Sequence, residues 1–140
     1  MAVADVLRLL EVNPVYRNRV VHIETTAPEP PRYGTLAVPL PETLDAYLQA
    51  SGIRLYTHQC TAINRIRAGT NVIITTPTAS GKTLAFNLPI FERMEADPEV
   101  RALYLYPTKA LANDQYATLD RMAKFTGIQG KPAIYDGDIP

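Results

Sequence analysis

The chain has 140 residues, of which 46% are hydrophobic and 20% are charged, a composition typical of a folded domain and not of a disordered segment. Its 14 basic and 14 acidic residues balance, so the net charge predicts no strong nonspecific field for nucleic acid, and any such contact has to be local. The single cysteine excludes an intrachain disulfide framework. With no signal-like start and no long apolar run, we expect a cytoplasmic protein without a membrane partner.

Residues 1–51 predict an amino-terminal helix, a proline-rich connector and an accessory helix. Apolar residues in the first dozen positions recur at i, i+3, i+4 and i+7, which is typical of a short amphipathic helix. Residues 20–24 favour a short strand, and the prolines that follow hold the chain extended. Residues 41–51 predict a second helix, because Pro41 suits a first helical turn and Gly52 suits a left-handed stop.

Residues 52–140 predict the first part of an α/β domain. After a helix that starts near Thr57 and ends at Gly69, the apolar runs NVIITT, ALYLY and PAIY alternate with helices from Lys82 and Thr108. Runs that are apolar at successive residues are typical of strands buried on both faces. The predicted fold is therefore a parallel sheet flanked by helices, preceded by a helical and extended arm.

The segment TPTASGKT, residues 76–83, has the parts of a phosphate-binding loop between an apolar run and a helix. Lys82 would contact the β and γ phosphates of ATP, Thr83 would place its hydroxyl on Mg²⁺, and Gly81 would allow a close backbone approach. Backbone N–H groups would come mainly from the three residues before Gly81, which are Thr78, Ala79 and Ser80. The strict pattern begins with Gly, where this chain has Thr76, and an ordinary loop with a chance GKT is the alternative.

Four motifs, taken in order, resemble those of the superfamily two DExH/DEAD-box helicases. They are LYTHQ at residues 55–59, the phosphate loop, PTKALANDQ at 107–115 and YDGD at 135–138. The last three of them together are most similar to DNA helicases of the mitomycin repair factor A type, a RecQ-like branch. The resemblance implies an incomplete first RecA-like domain over residues 52–140, which binds ATP with Mg²⁺ and has the remainder of a helicase chain as a partner.

The resemblance also implies an adenine site at the LYTHQ motif. Gln59 would read adenine, because an amide presents a donor and an acceptor in one plane. Tyr56 would stack on the base. Without its position before the phosphate loop, Gln59 would be interpreted as a solvated helix residue.

Two further segments are candidates for contact with a nucleic-acid strand, DNA in preference to RNA. In the family, the segment at Pro107, Thr108 and Lys109 contacts the strand, and the start of a helix there suits a backbone phosphate. Asp136 and Gly137 resemble the next such turn. The alternatives are a capped helix with a solvated lysine and a common Asp-Gly turn.

No catalytic residue is assigned, because the 140 residues contain no D-E-x-H motif and no second RecA-like domain. We therefore expect this chain to bind MgATP as the amino-terminal fragment of an ATP-dependent DNA helicase, and not to hydrolyse it alone. The alternatives are a P-loop small-molecule kinase and a noncatalytic fragment that docks on a partner. His22 and His58 lack a cysteine or carboxylate at ligand spacing, so a protein-bound metal site is not expected.

Overall fold

The computed structural model describes residues 2–17, 19–27, 30–77 and 80–135. Helices in this part of the chain are α1 (Val3–Val12), α2 (Glu42–Ala50), α3 (Thr57–Arg67), α4 (Lys82–Ala96) and α5 (Lys109–Thr126). None of them is both long and apolar enough to cross a bilayer. The chain divides into two compact units, Met1–Pro30 and Pro31–Pro140. The division predicted after residue 51 stays a prediction.

The first unit contains α1, which confirms the helix predicted for the first dozen residues. None of the residues of α1 is buried, although its apolar residues share a face. The helix ends at Asn13, whose N–H donates to the carbonyl of Leu9 at 3.1 Å and whose side chain accepts from the N–H of Val15 at 2.9 Å. The strand predicted over residues 20–24 is not formed in this unit.

In the second unit, helices begin and end within a residue or two of the predicted positions. Gly52, Gly69 and Gly127 follow the ends of α2, α3 and α5 with φ of 64°, 75° and 68°, so the predicted glycine stops are confirmed. At the start of α3 the cap residue is Tyr56 and not Thr57. Its backbone N–H donates to a side chain in the first turn of α3, which moves the helix boundary by one residue.

The core of the second unit lies among its four described helices. One buried cluster takes residues from every one of them: Leu44, Leu48, Ile63, Leu88, Phe91, Leu119 and Met122. Cys60 is buried beside α3's apolar stripe, as expected of a core residue, and burial raises the pKa of its thiol. Pro89 is buried inside α4, which continues past it to Ala96. The position of α4 against both α2 and α3 fixes where its first turn can lie.

An ion pair ties α3 to α4 at the edge of this core. The guanidinium of Arg67 donates to both carboxylate oxygens of Glu92 at 2.8 Å, and it also donates to the carbonyls of Val38 and Pro39. Two parallel bonds to one carboxylate hold the planar guanidinium in a single orientation. The proline-rich segment before α2 is thereby attached to the same two helices.

The parallel sheet is not confirmed. The predicted strands at residues 71–76, 102–106 and 132–135 form no hydrogen-bonded strand in the described part of the chain, where the only bridge is an antiparallel one between Tyr33 and Tyr56. Burial on both faces is not observed either, because Ile73, Leu103 and Leu105 are 91%, 85% and 84% exposed. The structure is therefore helical where it is regular, and the sheet stays a prediction.

Ile63 and Ile73 offer a matched test of the core. Ile63 is 0% exposed and Ile73 is 91% exposed. We expect Ile63→Ala to lower the free energy of unfolding by about 2–5 kcal/mol, since it leaves a cavity among packed side chains. Ile73→Ala should cost less than about 0.5 kcal/mol. Urea denaturation followed by circular dichroism measures both, and equal losses would contradict this description of the core.

Candidate nucleotide-binding site

The phosphate loop runs directly into α4. Gly81 is the cap residue, with φ of 73° and ψ of 28°, and Lys82 is the first residue of the helix. This left-handed conformation is strained for residues that carry a side chain. The carbonyl of Gly81 accepts from the N–H of Leu84 at 3.2 Å, which closes the first turn. The first N–H groups of a helix lack partners within it and form its positive end. The predicted start of the helix at GKT is confirmed.

The ammonium group of Lys82 contacts oxygen atoms of this loop. It donates to the carbonyls of Thr76 at 2.7 Å and Pro77 at 2.6 Å, and it lies 3.5 Å from the hydroxyl oxygen of Ser80. The hydroxyls of Thr76 and Ser80 are themselves 2.6 Å apart. Thr76, which stands where the usual pattern has Gly, thus contributes a carbonyl and a hydroxyl that close the loop around a fixed cation.

The remaining residues predicted for the phosphates and the metal are less defined. Thr83 lies half-buried in the first turn of α4, next to Lys82. Thr78 and Ala79 lie outside the described residues. Among the residues that the structure describes, no group of His, Cys, Asp and Glu side chains comes together to hold a metal ion. The assignment of Thr83 to Mg²⁺ stays a prediction.

Gln59 lies against the loop and is only 2% exposed. Its Oε1 accepts from the N–H of Tyr56 at 2.7 Å, and its Nε2 donates to the carbonyl of Gly81 at 2.7 Å. A Cβ added at Gly81 would lie 2.6 Å from that Nε2. A side chain at position 81 would therefore be strained by the positive φ and would force the amide of Gln59 to shift.

His58 makes a second contact to the same loop. Its Nε2 lies 3.0 Å from the carbonyl oxygen of Ser80. The imidazole stacks on the ring of Tyr56, with centroids 5.7 Å apart and planes within 13° of each other. The first turn of α3 thus touches two consecutive carbonyls of the phosphate loop.

Tyr56 also stacks on Tyr33, with centroids 5.5 Å apart, and the guanidinium of Arg54 lies 4.0 Å from the centroid of the Tyr33 ring. Sequence reasoning gave no role in the site to Tyr33, Arg54 or His58. Arg54, Tyr56 and His58 stand within five residues of one another around the start of α3, and that closeness is the signal that could have grouped three of the four planar side chains. Tyr33 could not be found this way, because it belongs to a distant segment.

The segment that carries Tyr33 is held beside α3 by its backbone. The N–H of Gly34 donates to the carbonyl of Leu55 at 3.0 Å, and the N–H of Thr57 donates to the carbonyl of Arg32 at 2.9 Å. A Cβ at Gly34 would lie 2.9 Å from the Cα of Thr57, so this approach requires glycine. These contacts set the ring of Tyr33 against the glutamine motif.

The nucleic-acid candidates lie at the start of α5. Thr108 caps the helix, with its hydroxyl oxygen accepting from the N–H of Leu111 at 3.2 Å, and Pro107 and Lys109 are exposed on either side of it. These three residues line a cavity of about 940 Å³ that extends to residues 129–135. Thr108 thus caps α5, and its contact with nucleic acid stays a prediction. Asp136 and Gly137 lie outside the described residues.

The sequence matches the DEAD/DEAH box helicase family over residues 56–140. It is 46% identical over 105 residues to the uncharacterized ATP-dependent helicase YprA of Bacillus subtilis, covering 71% of this chain and 14% of that protein. It is 34% identical over 113 residues to the ATP-dependent helicase HRQ1 of Saccharomyces cerevisiae, covering 81% of this chain and 10% of that one. The chain therefore spans roughly a tenth to a seventh of the length of these curated relatives.

A solved structure also matches the whole chain. The crystal structure of the DUF1998 helicase MrfA bound to DNA and AMPPNP superposes with a TM-score of 0.82 at 36% identity. The match covers 100% of this chain and 19% of the MrfA chain. This similarity, with the family match, confirms the resemblance to helicases of the mitomycin repair factor A type that the motifs indicated.

A double-mutant cycle tests whether Gly81 and Gln59 are coupled. We expect Gly81→Ala to destabilise the chain both by strain at positive φ and by displacing the buried amide of Gln59 from its hydrogen bonds. In Gln59→Ala/Gly81→Ala the clash is absent, so the double variant should be more stable than the sum of the single losses predicts, by about 0.5–3 kcal/mol. Denaturant unfolding of the four proteins measures this coupling.

Gly52→Ala is the matched control, since Gly52 has φ of 64° with no atom within 4 Å of an added Cβ. It should show strain alone and no coupling to Gln59→Ala. Additive losses at Gly81 and Gln59 would show that the close approach does not matter to stability.

Proposed function

The chain belongs to the DEAD/DEAH box helicase family, and on that premise we propose that it binds MgATP at the phosphate loop as part of an ATP-dependent DNA helicase. One observation carries this proposal: the ammonium of Lys82 is enclosed by loop oxygens at the amino-terminal end of α4, with Gly81 in a left-handed conformation beside it. A cation, the N–H groups at the start of a helix and a backbone without a side chain fit a triphosphate.

In this proposal, Lys82 exchanges its contacts with the carbonyls of Thr76 and Pro77 for oxygens of the β and γ phosphates. Thr83 supplies a hydroxyl ligand to Mg²⁺, and the loop residues Thr78, Ala79 and Ser80 supply N–H groups. Hydrolysis of the γ phosphate would supply the energy for strand separation in a longer helicase protein. The residues described here bind and orient the nucleotide.

Gln59 retains the chemistry to read adenine. An amide has two N–H donors and two acceptor lone pairs, and the contacts with Tyr56 and Gly81 use one of each. The second N–H and the second lone pair would match the edge of adenine that presents N6–H and N7, once this side chain, which is 2% exposed, is opened to the base. Stacking of Tyr56 on the base would require Tyr33 or His58, whose rings stack on it, to give way to adenine.

We further propose the finer architecture and the DNA contact. Segments 71–76, 102–106 and 132–135 would be strands of a partial RecA-like parallel sheet within residues 52–140, after an arm over residues 1–51. Pro107, Thr108 and Lys109, at the positive end of α5, would contact a backbone phosphate of DNA, and Asp136 and Gly137 would add a second turn. The DNA bound by MrfA supports the DNA contact as a proposal for this chain, and the AMPPNP bound by MrfA supports the nucleotide site.

Nucleotide titration tests the first part. We expect ATP to bind in the presence of Mg²⁺ more tightly than GTP, and Lys82→Ala to weaken ATP roughly 10- to 100-fold, because charged hydrogen bonds to phosphate are lost. Isothermal titration calorimetry measures the dissociation constants. Lys131→Ala removes an exposed lysine of the same unit and should leave affinity unchanged. Absence of ATP binding by the unmodified chain would refute the nucleotide site.

Binding of a fluorescent single-stranded DNA tests the second part. We expect Lys109→Ala to reduce the slope of log affinity against log salt by about 0.7, the value for one phosphate contact on a single strand. Lys124→Ala is the control, since Lys124 lies on the same helix, paired with Asp120 at 2.7 Å. A small-molecule kinase, the alternative, would bind ATP and show no DNA binding in this titration.

A further inference from the structure

We propose that His58 is a positioning residue of the phosphate loop, which orients the N–H groups that face the triphosphate. This inference rests on the proposed nucleotide site and assigns a role to His58, which lies within the LYTHQ motif but has no function in the proposal above. The observation behind it is a pair of contacts from neighbouring residues of α3, His58 and Gln59, to the consecutive carbonyls of Ser80 and Gly81, at 3.0 Å and 2.7 Å.

The direction of the hydrogen bond at His58 follows from its partner. A backbone carbonyl only accepts hydrogen bonds, so Nε2 of His58 carries the proton and donates to Ser80. The neutral tautomer with hydrogen on Nε2 and the imidazolium form both satisfy this contact. Stacking on Tyr56, which is itself stacked on Tyr33, restrains rotation of the imidazole and keeps Nε2 aimed at the loop.

The consequence for the loop follows from the planarity of the peptide bond. In a trans peptide the C=O of one residue and the N–H of the next point in opposite directions. A carbonyl of Ser80 that is held toward α3 turns the N–H of Gly81 away from α3, and a carbonyl of Gly81 held by Gln59 does the same for the N–H of Lys82. At Gly81 this restraint matters most, because glycine permits a wider range of backbone conformations than any other residue.

Without the donor at position 58, the peptide between Ser80 and Gly81 is free to rotate, and ordering its N–H becomes a cost of binding phosphate. That cost is the same whichever base the nucleotide carries. His58 therefore acts on the affinity for the triphosphate, while selectivity among bases is left to Gln59 and the side chains stacked near it.

Two substitutions at His58 separate the hydrogen bond from the stacking. His58→Phe keeps a planar ring against Tyr56 and removes the donor, whereas His58→Gln keeps a donor and removes the ring. His22→Phe is the matched control, because His22 is exposed in the first unit. All are measured in the 140-residue chain with ATP and, by competition against a fluorescent ATP analogue, with GTP.

We expect His58→Phe to weaken ATP and GTP by the same factor, roughly three- to tenfold, and His58→Gln to bind within about twofold of the unmodified chain. The backbone amide resonances of Gly81 and Lys82 should shift in His58→Phe without any ligand and should not shift in His22→Phe. Unchanged affinity in a folded His58→Phe, or a loss confined to ATP, would overturn the role.

If His58→Phe does not fold, as judged by circular dichroism, His58→Gln decides the question alone, since a tenfold loss of affinity in that variant contradicts a role for the donor. Failure of the inference is distinct from failure of the nucleotide site. If only the inference about His58 fails, the unmodified chain still binds ATP. If the nucleotide site fails, the unmodified chain does not bind ATP, while the amide resonances still report on the loop.

Discussion

The anchoring of two adjacent loop carbonyls by the first turn of α3 is the constraint on which the site depends. The left-handed conformation of Gly81 would be strained with a Cβ, and the amide of Gln59 occupies the space that a Cβ would need. The same conformation allows α4 to begin at Lys82, with its ammonium turned back into the loop. A glycine, a buried amide and a helix start are therefore parts of one arrangement, and changing any of them alters the other two.

Packing in the helical core holds α3 and α4 together and so stabilises this arrangement. Ile63 on α3 and Leu88 on α4 belong to one buried cluster, and the bidentate pair of Arg67 with Glu92 joins the same two helices. Close-packed interiors deform little, so the separation between the glutamine motif and the start of α4 is fixed by packing well away from the loop. This packing keeps the first turn of α3 within about 3 Å of the loop carbonyls.

The helices and much of the phosphate loop could be predicted from the sequence because their causes are local. Helix ends follow from glycines that adopt positive φ, and the start of α4 follows from GKT after an apolar run. The strands could not be inferred in the same way. The continuous apolar run at residues 102–106 favours an extended chain, but a sheet requires hydrogen bonds between segments far apart in sequence, and these are not formed in the described part of the chain.

The sequence by itself determined the family, the phosphate loop and the order of its motifs, since each is a short run of residues whose chemistry does not depend on distant contacts. Only the tertiary structure decided what His58, Tyr33 and Arg54 do, and that Gln59 binds the loop through Gly81. These roles arise where the segment before α2, the start of α3 and the start of α4 meet. Side-chain spacing along one segment carries no information about which other segment packs against it.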